Sequence, residues 1–84
     1  MKKVTATAVW GTDIIEDTDT HETSLQCLCG GIAMYPQRIV LTGEEVEELK
    51  RGALDIETLV YEICKGMPAV KPRLVPPFSP ADLK

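Results

Sequence analysis

In Asp55-Ile-Glu-Thr-Leu-Val-Tyr-Glu-Ile-Cys-Lys-Gly66, apolar side chains recur at one helical period: Ile56, Leu59, Val60, Ile63 and Cys64, with Met67 one step further on. The spacing i, i+3, i+4, i+7, i+8 and i+11 predicts an amphipathic helix with a single stripe to bury. Asp55 reads as its N-cap, Lys65 lies in the last turn, and Gly66-Met-Pro68 stops it. No other segment gathers so many apolar side chains at one period. The rest of the chain is therefore expected to fold onto this face.

Immediately upstream, Thr42-Gly-Glu-Glu45 has the spacing of a capping box, in which the Thr hydroxyl and the Glu carboxylate each take a backbone N–H. It predicts a helix from Gly43 to Arg51, closed by Gly52, with Val46 and Leu49 inward and Glu44, Glu45, Glu47 and Glu48 outward. The short connection to Asp55 makes the two helices neighbours in a hairpin.

The first half alternates as strands do. Val4 to Trp10 places Val4, Ala6, Ala8 and Trp10 on one face, and Ile14-Ile15 reads as a second, short strand. Glu16 to Thr23 is polar and acidic, the composition of an exposed loop. Ser24 to Cys29 and Ile32 to Tyr35 flank Gly30-Gly31, which predicts a two-residue hairpin pairing Cys29 with Ile32 and Cys27 with Met34. Pro36-Gln37 breaks that strand, and Arg38 to Leu41 forms one more. Five of the six prolines fall between Pro68 and Pro80, so Val70 to Phe78 is expected to be extended, with Leu74, Val75 and Phe78 docked back on the chain's own strands in preference to another chain. The fold class is thus α+β: a small antiparallel sheet of three to four strands, a two-helix hairpin on it, and a Pro-rich C-terminal arm. One domain spans residues 1–68 and the arm residues 69–84.

At 84 residues the chain buries only about 60–65% of its unfolded surface. Its net charge of −4 conceals a division. Residues 13–62 hold twelve acids against Arg38, Lys50 and Arg51, a net −9 between basic ends. Such a body argues against binding a phosphate backbone, which needs a concentrated cationic face. It suits a basic protein partner, or imitation of nucleic acid. Lys2-Lys3 is followed by Thr5, Thr7, Thr12 and Asp13, not by an apolar signal region, and no window reaches membrane-spanning length, so a cytoplasmic location is expected. Three cysteines, an odd number, fit reduced thiols.

Chemistry could gather at three places. Cys27, Cys29, Cys64 and His21 are the inventory of a Cys3His zinc site, although Cys27-x-Cys29 lacks the gap of a zinc knuckle. Buried, unreactive thiols are the plainer reading. Asp17-x-Asp19 resembles the start of a calcium loop, but Glu22 stands where that loop needs Gly and Leu28 where it needs Glu. His21 is the sole histidine available as a base for a Cys nucleophile, without any catalytic signature around it, and no phosphate loop exists. The remaining surface is acidic: Glu44, Glu45, Glu47 and Glu48 with Asp17, Asp19 and Glu22. These residues lead to the expectation of a non-enzymatic module without cofactor that binds one protein partner stoichiometrically. An inhibitor, an immunity-type protein or a phage or mobile-element accessory factor would fit, with homodimerisation as a further option. A small zinc or redox protein is the alternative.

Overall fold

The computed structural model describes residues 2–7, 11–30, 33–79 and 81. It is an α+β fold in which five antiparallel strands form a meander in chain order: β1 (Lys2–Thr7), β2 (Thr12–Asp17), β3 (Glu22–Cys29), β4 (Tyr35–Val40) and β5 (Leu74–Val75). Two helices, α1 (Gly43–Lys50) and α2 (Ile56–Lys65), connect β4 to β5. The sheet exceeds the expected strand count because Leu74–Val75, hidden among prolines, pairs with Arg38 and Ile39.

The helices begin and end as their sequences dictate. The Thr42 hydroxyl accepts from Glu45 N–H and the Glu45 carboxylate accepts from Thr42 N–H, completing the capping box. Asp55 caps α2 by accepting from Thr58, and Gly66 closes it in the left-handed conformation at φ 65°. Leu59 and Ile63 of α2 are buried, and Val46 and Leu49 of α1 pack on the same cluster. Met67, beyond the left-handed residue, leaves the stripe and is exposed.

Under the helices lie Ile14, Leu25, Cys27, Cys29, Ile39 and Leu41, each almost completely buried. The pairs Ile14–Leu25 and Leu25–Ile39 set the register. It differs from the two-residue hairpin: Cys29 pairs with Tyr35, not Ile32, and Cys27 with Gln37, not Met34. An odd shift of three residues flips every β4 side chain. It places Ile39 and Leu41 beneath the helices, a larger apolar gain than the tight turn offers. Gly30 remains obligatory, because its φ is 99° and a Cβ there would lie 2.6 Å from the Ala33 carbonyl oxygen.

Pro36 lies inside β4 opposite Leu28. The Leu28 N–H donates to the Gly11 carbonyl at 2.9 Å, away from β4, so Leu28–Pro36 is a non-hydrogen-bonded pair. The missing Pro36 N–H therefore faces the side that β5, two residues long, does not reach. Glu16, Asp17, Glu22 and Thr23 belong to β2 and β3, and only residues 18–21 form the turn between them. In β1 the register slips between Val4 and Ala6, which pair with Ile15 and Ile14 on opposite faces, and the Thr5 hydroxyl donates to the Ile14 carbonyl. The single apolar face expected from Val4 and Ala6 is broken there, while Ala8 and Trp10 lie outside the described residues.

The second face of the sheet is covered by the chain after β5. Lys71–Arg73 forms one 3-10 turn instead of extended chain, and Val70 is buried in the core. After Val75 the backbone crosses over: Gln26 donates to the Phe78 carbonyl and accepts from the Phe78 N–H. Arg38 donates to the Pro76 carbonyl and stacks 3.9 Å from the centre of the Phe78 ring.

Candidate functional site

Three groups of side chains stand out, and the first is a thiol cluster. Cys27 and Cys29 project from one face of β3, as a two-residue spacing requires, and Cys64 meets them from α2. The three sulfurs lie within 4.8 Å of one another. Cys29 and Cys64 form a disulfide with their Cα atoms 5.3 Å apart, whereas Cys27 is free and buried. The expectation of three reduced thiols is corrected here. Counting cysteines could not reveal that β3 and α2 stack with Cys29 directly beneath Cys64. Desolvation pushes the Cys27 thiol above its ordinary pKa. Thr12, the cross-strand partner of Cys27, is wholly buried, and among the described residues its hydroxyl has no hydrogen-bond partner. His21 is not part of this cluster. It sits exposed in the β2–β3 turn, six residues from Cys27 along a strand, which is about 20 Å at the usual rise.

The second group is the acidic end. The β2–β3 turn, which holds Asp19 and is flanked by Asp17 and Glu22, lies beside the start of α1, because the Leu41 N–H donates to the Thr23 carbonyl at 2.8 Å. The fold thus brings the 17–22 segment and the start of α1 to one end of the sheet, with Asp17 and Glu22 on the face that carries Arg38 and with Glu44, Glu47 and Glu48 along α1. Gly43, Glu44, Glu47, Glu48 and Arg51 line a shallow depression. A hydrogen bond from the Asp19 backbone holds the Asp17 carboxyl below its usual range.

Glu45 does not point outward with its neighbours. Its carboxylate is half-buried and takes both terminal nitrogens of Arg73, tying α1 to the 3-10 turn. Arg73 also donates to the Val40 carbonyl at 3.0 Å. Burial works to raise the Glu45 pKa, but the hydrogen bonds from Arg73 and Thr42 outweigh it and the group sits below its usual value of 4.5. A depressed folded-state pKa contributes stability above the unfolded value, which is lost as pH falls through the folded one. Glu45→Gln is therefore expected to cost about 1–3 kcal/mol at neutral pH and to flatten the loss of stability on acidification below about pH 4.5. Urea unfolding of both chains across that range measures it, and parallel acid limbs would refute it.

The third group is polar and buried on the second face. Arg38, 9% exposed, donates to the Ser24 hydroxyl at 2.7 Å and lies in the field of Glu22 and Asp17. Arg38, Gln26, Arg73 and Thr12 were not singled out by their sequence context. Nothing in an alternating strand marks a lone Arg or Gln as the anchor of a segment more than thirty residues away. No protein-family model, no curated protein and no solved structure matches this chain.

Proposed function

We propose that the protein is a stoichiometric binding module whose acidic end docks on a basic surface of a partner protein. The observation that carries this reading is the convergence of two acidic segments distant in sequence, 17–22 and 44–48, at one end of the sheet. Glu44 and Glu47 are exposed, as are Asp19 and Glu22. Charges so placed speed encounter with an oppositely charged surface and reject like-charged ones. An inhibitor, an immunity-type protein or a mobile-element accessory factor needs no more than such a face, and nucleic-acid mimicry would use it in the same way. A second copy is a poorer partner, since two acidic ends repel.

The test is a triple reversal, Glu44→Lys, Glu47→Lys and Glu48→Lys, that spares Glu45 because it anchors Arg73. A partner recovered from host lysate at low salt with the parent chain should bind the reversed chain at least tenfold more weakly, the size of a like-charge penalty of roughly 1.4 kcal/mol or more. The far-UV dichroism should stay unchanged. Equal retention by the two chains would sink the reading.

A further inference from the structure

We propose that, once the Cys29–Cys64 bridge is opened, Cys27, Cys29 and Cys64 bind one soft monovalent cation of the Cu(I) class. Two electrons and two protons from a dithiol donor, which closes to its own disulfide, convert the bridge into two thiols. Three sulfurs then face one point between β3 and α2. The cation enters as thiol protons leave.

The geometry fits this chemistry on four counts. Sulfurs bound at about 2.3 Å to one ion lie about 3.8–4.0 Å apart. Cys27 and Cys29 are already 3.9 Å apart, and Cys64 is within 4.8 Å of both. Among the described residues no fourth His, Cys, Asp or Glu joins the cluster, and His21 is held at the far end of β3. Soft thiolates take both zinc and Cu(I), but structural zinc is almost always four-coordinate, so a set of three sulfurs favours Cu(I).

Burial is the third count. Cys27 and Cys29 are 1% and 2% exposed and Cys64 is partly exposed, so the ion can enter past Cys64 while the β3 side of the site is closed to water. The fourth is Thr12. A buried hydroxyl without a partner is uncommon and calls for an explanation. It projects from the same face as Cys27, at the directly opposed position where Cβ atoms sit about 5 Å apart. A metal-bound Cys27 thiolate would give that hydroxyl an acceptor that it does not have among the described residues.

The full chain, reduced anaerobically with a phosphine, is titrated against Cu(I) held by a chromophoric chelator. The reduced chain should withdraw one equivalent and the oxidised chain none. Cys27→Ser retains both bridge partners, and its dichroism when oxidised should match the parent chain; after reduction its affinity should fall by more than the roughly 10–100-fold typical of supporting residues. Dichroism is followed throughout, because opening the bridge loosens the fold; Cu(I) should then restore the native signal. Uptake without that recovery, equal uptake by Cys27→Ser, no uptake by the reduced chain, or displacement of Cu(I) by equimolar Zn(II) would each overturn the proposal.

Discussion

Replacing Cys64 with Ser is expected to lower the melting temperature by roughly 15–30 °C. The bridge closes a loop with a sequence separation of 35. Loop-closure entropy at that length corresponds to about 4 kcal/mol, and each kcal/mol moves the midpoint of a domain this size by about 4–8 °C. The effect is large because Leu59 and Ile63 are the buried side chains by which α2 is held on the sheet. Cys64 is the informative position. Cys29→Ser leaves Cys27, whose sulfur lies within 4.8 Å of Cys64 and can take over the bridge. Thermal melts with and without phosphine make the comparison. Reductant should bring the parent chain down to the Cys64→Ser value and leave that variant unmoved. A parent chain indifferent to reductant would show that the bridge adds nothing.

Arg38→Ala should cost about 3 kcal/mol or more. The guanidinium satisfies the buried Ser24 hydroxyl and the Pro76 carbonyl and stacks on Phe78, so its removal takes a donor from two polar groups and leaves the ring only the more distant Lys2 ammonium at 5.3 Å. Lys cannot replace it, because a single ammonium lacks the planar fork that reaches these groups together. The loss should also loosen the chain beyond Val75, leaving Gln26 and the Lys2 ammonium to hold Phe78. Denaturant unfolding gives the first quantity, and the rate of chymotryptic cleavage at Phe78 the second. Stability within about 0.5 kcal/mol of the parent, the range of ordinary surface changes, would contradict the assignment.

The helices were legible because their signals are local. Asp55, Gly66 and the Thr42–Glu45 box each act within a turn of their own backbone, and the Ile56–Ile63 periodicity needs only the helix to express itself. What could not be read is what depends on two distant segments. The β3–β4 register follows from burying Ile39 against Leu25 and helix side chains, and this outweighed the Gly30-Gly31 turn signal. β5 has no signal of its own, since two residues before two prolines become a strand only against the β4 edge. The Glu45–Arg73 pair shows the same limit at the acidic site. Four glutamates looked alike on one helix, and one of them had its partner 28 residues downstream.

The Pro36 position has a consequence for how molecules of this protein meet one another. Unpaired sheet edges are templates on which a second chain can add a strand and seed aggregates. Along the outer rim of β4, Arg38 and Ile39 are paired with β5 and the Val40 carbonyl is taken by Arg73. The remaining position is Pro36, which has no N–H to offer. At the other rim β1 carries Lys2 and Lys3 and bends at Thr5, so an incoming strand meets charge and a broken register. Intermolecular strand addition is thus left only the two-residue rim of β5 at one border, and at the other it meets charge and a broken register.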